Sequence, residues 1–241
     1  MSVQPGRSLP SIEGVAGPRW RFFTRNRWWG QWAVRRWFRV DVLGAQNVPA
    51  DGPVIFASNH IGFADGPLLA IFAPRPVHAL TKIEFFQNRL LAWFLRGVGQ
   101  IPLDRFNADP GALKMCLRAL ADGRAVGIYP EGTRGAGELD VFHHGAAYLA
   151  LVSGAPVVPV TMFGSRVAGG KNSLPPRGST ITMVCGRPIQ FDPVPWPRTK
   201  QLVTETSATL REHMLRELKA AMEETGLSLP GPLHAGETVH L

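Results

Sequence analysis

The sequence predicts an α/β fold, with a mixed, mainly parallel sheet flanked by helices and an Arg/Trp-rich amphipathic helical segment ahead of it. Three observations predict it. Short apolar runs bounded by Gly and Pro alternate with runs of helical period, which is the pattern of helices packed on a largely parallel sheet. A chain of 241 residues, 45% hydrophobic and 18% charged, is long and apolar enough to bury a core, and too apolar for a disordered tail protein. Two cysteines, Cys116 and Cys185, exclude a disulfide scaffold and a four-cysteine zinc site.

The elements follow in order. Residues 1–17 carry Pro5, Gly6, Pro10, Gly14 and Gly17 and read as a flexible lead. Residues 18–39 read as one helical segment. Val40–Leu43 and Val54–Ala57 are strands. Asp65-Gly66-Pro67 starts a helix through Ala73, with Asp65 as cap and Pro in the first turn. Val77–Thr81 is a strand, and Ile83–Arg96 a helix with Phe86, Leu90, Trp93 and Phe94 on one face and Gly97 as the stop. Gln100–Leu103 is a strand. Pro110–Ala121 is the clearest helix: Asp109 caps it, Leu113, Cys116, Leu117 and Leu120 share a face, and Gly123 ends it. Ala125–Tyr129 is a buried strand, His143–Val152 a helix, and Val157–Phe163 and Thr180–Cys185 are strands. Leu202–Thr225 is a long amphipathic helix, and residues 226–241 are a Gly/Pro/His tail. One domain over 40–225 is expected.

The formal charge is +8, and it is concentrated. Residues 18–39 hold seven arginines, five of the seven tryptophans and no acid. Trp20, Arg25, Arg27, Trp28, Trp29, Trp32, Arg35, Arg36 and Trp37 suit a bilayer interface, with rings at headgroup depth and guanidinium groups on lipid phosphate. Nucleic acid is a rival ligand, because Arg pairs with its phosphates and Trp stacks on its bases; the near-neutral remainder of the chain argues against it. A helix docking its tryptophans on the core is the third reading. No stretch reads as a transmembrane helix, and the opening residues lack the apolar run of a signal peptide.

Four clusters carry chemistry. Asn59-His60-Ile61-Gly62-Phe63-Ala64-Asp65 lies between a strand end and a helix start, where α/β proteins place their sites. His60 and Asp65 can meet across that turn, the carboxylate fixing the imidazole tautomer and supporting the imidazolium formed on proton uptake; a plain cap beside an incidental histidine is the alternative. Tyr129-Pro130-Glu131-Gly132-Thr133-Arg134 follows another strand and offers a hydroxyl and a guanidinium to an anionic oxygen, or is a turn with a structural Glu–Arg pair. Gly99 to Arg105 is the third, with Asp104–Arg105 also readable as a surface salt bridge and Lys82 as a second cation for an anionic substrate. Ala155–Val160 reads as core or as the wall of an apolar pocket. No nucleophile elbow, Walker A loop or dinucleotide fingerprint occurs, Cys116 reads as an inert core residue, and His143-His144 lack the partners of a metal site.

In this order, the clusters resemble the PlsC-like 1-acylglycerol-3-phosphate acyltransferases of the glycerolipid acyltransferase superfamily. The His-x4-Asp box matches His60 and Asp65. Gly99, Ile101 and Arg105 match the second block, Glu131 to Arg134 the Glu-Gly-Thr-Arg box, Phe142 to Gly145 the Phe-x-x-Gly element, and Pro156 to Val160 the Val-Pro block. The resemblance implies an O-acyltransferase that moves a fatty acyl chain from acyl-CoA or acyl carrier protein to a free hydroxyl of a lysophospholipid, foremost 1-acylglycerol-3-phosphate, giving phosphatidic acid. His60 would be the general base, oriented by Asp65, and no acyl-enzyme would form. Arg105, Glu131, Gly132, Thr133 and Arg134, with Lys82, would bind the acceptor phosphate. No cofactor and no metal are expected, and no nucleic-acid partner. The chain departs from the family pattern at His143-His144, where a basic pair is common, and at Gly62, where Ser is frequent. The Arg/Trp segment would hold the enzyme, peripheral or monotopic, on anionic lipid at the cytoplasmic face of a membrane. An enzyme for another lipid acceptor, or a catalytically silent membrane-binding protein, is the alternative.

Overall fold

The computed structural model describes residues 11–19, 21–170 and 172–233, without the side chains of 21–23; Trp20, residues 1–10 of the lead and 234–241 of the tail lie outside the described residues. Seven strands form one sheet: β1 (Arg39–Leu43), β2 (Val54–Ser58), β3 (Val77–Lys82), β4 (Ile101–Leu103), β5 (Ala125–Ile128), β6 (Val157–Phe163) and β7 (Thr180–Cys185), in the spatial order β1-β7-β6-β2-β5-β3-β4. All neighbouring pairs are parallel except β6 with β7. Every residue of β2, β5 and β6 is buried, as the continuous apolar runs of central strands covered on both faces demand. Pro159 is tolerated inside β6 because pairing with β7 begins only at Val160.

Among the described residues six α-helices accompany the sheet: α1 (Arg21–Arg35), α2 (Asp65–Phe72), α3 (Arg89–Gly97), α4 (Pro110–Ala121), α5 (Gly145–Ser153) and α6 (Lys200–Thr225). Leu68, Leu69 and Phe72 of α2 pack with Phe56, Val77 and Val158 on one side; Val34 of α1 joins that cluster. Ala112, Cys116 and Leu120 of α4, Leu149 of α5, and Leu210 and Met214 of α6 form the other side with Ile55, Val126 and Val157. Each fully buried Leu or Phe stabilises this arrangement by about 1.5–3 kcal/mol. Asp109 accepts the Ala112 N–H at 2.9 Å and caps α4 as expected, and Thr199 caps α6 through the Leu202 N–H.

Several boundaries differ from expectation. The Arg/Trp helix is 15 residues, Arg21–Arg35, not the whole of 18–39. The Ile83–Arg96 helix is two pieces, a 3-10 turn at Ile83–Phe86 and then α3, because the Asn88 side chain accepts the N–H groups of Leu90 and Leu91 and opens a new helix. The helix expected from His143 begins at Gly145, with His144 as its cap residue. Asp65 is not the N-cap of α2; Ala64 holds that place without a side-chain bond, and the Asp65 carboxylate turns back onto the preceding loop. In the described part of the lead Ile12 packs against the core, and at the start of the next segment the Pro18 carbonyl accepts from Arg124. In the tail, Leu229 packs against α6's side and Gly231 accepts from Arg166.

Arg27 departs from its expected role at a lipid interface. Its Nε donates to the Ile71 carbonyl at 2.7 Å and its Nη2 to the Ala73 carbonyl, and Gln31 adds a third bond to Ile71. These are the orphan carbonyls at the C-terminus of α2, where a cation is favoured. Arg35 lies over the Phe72 ring, 5.1 Å from its centroid. Arg27 therefore clamps α1 to α2 instead of facing a phosphate layer, and burial pulls its guanidinium below its ordinary range, whereas Arg35 stays exposed.

Gly99 makes the close turn that leads from α3 into β4. Its φ is 73°, a side chain there would meet the Arg19 carbonyl oxygen at 2.1 Å, and the His78 Nδ1 donates to its own carbonyl at 2.8 Å. Burial lowers the His78 pKa and keeps the ring a neutral donor. Gly99→Ala is expected to cost about 2–4 kcal/mol, from positive-φ strain and the displaced backbone. Urea unfolding of the two proteins measures it; equal midpoints would show that the turn is not constrained.

Candidate active site

The parallel strands deliver their carboxyl ends to one edge of the sheet, so the loops after β2, β3, β4, β5 and β6 meet there. The His60 loop leaves β2. Asn59 anchors it, its Oδ1 accepting the Met162 N–H of β6 at 2.8 Å. His60 Nδ1 lies 2.9 Å from Asp65 Oδ2, and that oxygen also accepts the N–H groups of Ile61 at 2.7 Å and Gly62 at 2.8 Å. Asp65 Oδ1 takes the hydroxyl of Ser165, just beyond β6. Every partner of the buried Asp65 side chain is a donor, an arrangement that suits a carboxylate. With the proton on Nδ1, Nε2 on the far side of the ring is able to accept one. The Tyr129 ring stacks on the imidazole at 4.2 Å between centroids, and its hydroxyl is buried with no hydrogen-bond partner among the described residues.

The second box is tied to the first. The His60 N–H donates to Glu131 Oε1 at 2.7 Å, and the Gly135 N–H returns to the His60 carbonyl at 2.9 Å. Glu131 is buried; desolvation pushes its carboxyl up to about 7, helped by the nearby Asp65 charge and opposed by the His60 and Leu139 N–H groups. Expected as a phosphate ligand, it lies beneath the His60 loop, accepting from its backbone, and does not line the cavity beside His60. Gly132 turns with φ 67°, and a side chain there would strike the His143 ring at 2.7 Å.

A cavity of about 560 Å³ opens beside His60. Lys82, Arg105, Gly132 and Thr133 line it with His60, as do His143 and His144. Ala112, Leu113, Cys116, Tyr148, Leu149 and Val203 make an apolar wall from α4, α5 and α6. Arg105 donates from Nη1 to the Gly132 carbonyl at 2.9 Å, while its buried Nε has no partner among the described residues. No Asp104–Arg105 bridge forms, because Asp104 accepts from the Phe106 and Asn107 N–H groups. Arg134 is not in the cavity wall; its Nη1 donates to Asn172 Oδ1 at 2.8 Å and its guanidinium lies over the Phe63 ring.

Sequence reasoning missed Ser165, Tyr129's place against the imidazole, and the α4–α6 wall. Only the position of Gly164-Ser165 directly after β6 signalled the first; nothing local linked it to a carboxylate 100 residues earlier. Burial raises the Cys116 thiol to about 12, in keeping with the inert role expected of it, although it also lines the cavity.

The acyltransferase family model matches residues 39–163, just over half of the chain. A 1-acyl-sn-glycerol-3-phosphate acyltransferase of Bacillus subtilis is 29% identical over 187 residues, covering 77% of this chain and 90% of that protein. A chloroplastic protein of the same description from Arabidopsis thaliana is 29% identical over 192 residues, with 77% of this chain and 52% of that one covered. The crystal structure of PlsC from Thermotoga maritima superposes with a TM-score of 0.64 at 23% identity, covering 85% of this chain and 79% of the other, and so shares the fold. The chain belongs to the acyltransferase family and is an O-acyltransferase.

Proposed function

We propose that the enzyme transfers a fatty acyl chain from acyl-CoA or acyl carrier protein to the free hydroxyl of 1-acylglycerol-3-phosphate, giving phosphatidic acid. The observation that carries this reading is the His60–Asp65 pair, 2.9 Å apart, at the wall of a largely apolar cavity whose same wall holds Lys82 and Arg105. His60 Nε2 takes the proton of the acceptor hydroxyl. The oxygen attacks the thioester carbonyl directly, the tetrahedral intermediate collapses with cleavage of the C–S bond, and the imidazolium returns its proton to the departing thiolate. The products are the new ester and the free thiol, with no acyl-enzyme. Base catalysis of this kind contributes about 10² to 10⁴-fold, and holding both substrates in place contributes more. As proposed, the transfer uses no metal or redox cofactor; the donor is a substrate.

Arg105, with its open buried Nε, and Lys82 are the cations that face the acceptor phosphate, with Thr133 and the Gly132 turn shaping the site. Arg134, on the rim, meets a headgroup only from outside the cavity. The apolar wall suits an acyl chain. Among the described residues no helix is long and apolar enough to cross a membrane. Trp28, Trp29, Trp32 and Trp37 are each more than half exposed, and Arg25 and Arg36 are exposed beside them. They support a peripheral or monotopic enzyme on anionic lipid at the cytoplasmic face.

Three outcomes test the reading. Purified enzyme given oleoyl-CoA and lysophosphatidic acid should release thiol, and His60→Ala should lower kcat by about 10² to 10⁴ with the fold intact; transfer that survives the substitution, or no transfer by the wild type, rejects it. Ser165→Ala should lower kcat about tenfold with KM little changed, because the Asp65–His60 geometry loosens, and Ser165→Thr should restore most of it. Glu131 has its carboxyl near 7 in the fold against an ordinary 4.5. The protonated form is therefore favoured by folding, and that stability is present below about pH 4.5 and lost as the pH rises through 7. Glu131→Gln should flatten the profile, gaining on the order of 2–3 kcal/mol relative to wild type between about pH 5 and 8. Parallel stability–pH curves would show that Glu131 ionises without penalty.

A further inference from the structure

Helix α3 is turned inside out. At about 100° per residue, Leu90, Trp93, Phe94 and Gly97 occupy roughly 100° of its circumference, and Ala92 lies about 150° away from the middle of that stripe. In a helix packed on a core the stripe faces inward. Here Ala92 is the side chain that packs, at 3% exposed, while Leu90 is 81%, Trp93 73% and Phe94 51% exposed. Leu91 is exposed beside them. Nothing in the sheet or the other helices covers this face among the described residues, and a soluble surface rarely gathers four large apolar side chains on nine residues.

Three features say what covers it. The first is charge. Helix α3 contains Arg89 and Arg96, both exposed, and no acid, which matches a negative surface and disfavours a second copy of the same helix. The second is a shared signature with α1, which also carries exposed tryptophans among arginines and no acid. The third is position. The connections β2–α2–β3 and β3–α3–β4 step across the sheet in the same direction, so the right-handed crossover rule puts α3 on the same face as α2, and α1 packs against α2. Helix α3 is also bracketed by Lys82 and Arg105, both of which line the cavity beside His60.

We propose that the outward face of α3, formed by Leu90, Leu91, Trp93 and Phe94, inserts into the headgroup–acyl boundary of an anionic leaflet as a second docking element, on the same layer as α1. The inference rests on the reading of the chain as a membrane-docked enzyme and adds to it a contact beside the mouth of the cavity. With α1 alone the body can swing about one attachment. With both helices seated, the body is held in one orientation on the leaflet, with Lys82 and Arg105 at the two ends of the α3 connection.

The test uses the full chain and vesicles of phosphatidylcholine containing one-fifth phosphatidylglycerol. Three proteins are compared with wild type: Leu90→Ser/Trp93→Gln/Phe94→Ser on α3, Trp28→Ser/Trp29→Ser on α1, and the two sets combined. The substituted side chains are exposed, so thermal unfolding should be unchanged, and it is measured to confirm that. Co-sedimentation should show partitioning reduced about tenfold by the α3 set alone and further by the combined set. With a short-chain, water-soluble lysophosphatidic acid and no vesicles, the α3 set should turn over as wild type does. Wild-type partitioning by the α3 set overturns the proposal, and does so even where acyl transfer is confirmed. Failure of the wild type to transfer acyl groups in any format would instead reject the function, which the partition measurement does not need. A wild-type dimer in sedimentation velocity that the α3 set dissolves would assign the face to a second copy. Impaired transfer from acyl carrier protein with vesicle binding intact would assign it to the donor carrier. Either result overturns the membrane assignment.

Discussion

The parallel register of β6, β2 and β5 is the constraint on which the site depends. Because β2 pairs in parallel with β6 on one side and β5 on the other, three loops from distant parts of the chain end at the same height. The loop after β2 supplies His60 and Asp65, the turn after β5 supplies Glu131, and the residue pair after β6 supplies Ser165. The bonds between them are short-range: His60 N–H to Glu131, and Ser165 to Asp65. A one-residue slip of either pair would displace a loop by about 3.3 Å and turn its side chains to the other face of the sheet. Close packing on both faces of the three buried strands opposes such a slip, since every shifted side chain would enter a space shaped for another.

Two buried acids lie close together here and are held in opposite ways. Asp65 is surrounded by donors, among them the Ile61 and Gly62 backbone and the Ser165 hydroxyl. Glu131 is more poorly solvated by its surroundings, so burial dominates and favours its neutral form. A site with both acids fully charged at this spacing would cost more than one in which a single carboxylate is supported and its neighbour tends to hold a proton.

Much of this was legible from residues alone. The seven strands and the order of helices follow from apolar runs and Gly/Pro punctuation, and the His60 to Asp65 spacing allowed a contact across a turn, which the family resemblance then favoured over a plain cap. Three things were not legible. Ser165 belongs to no local pattern, because its partner is set by strand order. Glu131 looked like a ligand for an anion because Glu, Thr and Arg sit in one turn; only the fold shows that the turn splits them, Glu131 beneath His60, Thr133 into the cavity and Arg134 outward to Asn172. The arginines of α1 looked equivalent by composition, yet Arg27 is consumed by the end of α2 whereas Arg25 and Arg36 remain exposed. Periodicity reports that a helix has an apolar side, as in α3, but not whether that side faces protein or something else.

That last ambiguity bears on how such a reaction can work without a nucleophile on the protein. In the proposed transfer no acyl-enzyme stores the activated group, so donor thioester and acceptor hydroxyl would have to be present together with the base. Both proposed substrates are amphiphiles whose chains lie in, or emerge from, an apolar phase. A deep soluble pocket would have to strip each from the bilayer and lose the burial of every methylene, at about 0.8 kcal/mol apiece. An open cavity with cations beside the base avoids most of that loss if its mouth stays at the leaflet. The concentration of +7 in residues 18–39, the exposed tryptophans of α1 and the outward stripe of α3 are all costs for a protein in water. On the proposed docking they would become contributions, because the same layer of helices would rest on lipid, and the charge and the apolar excess of this chain would then have one common cause.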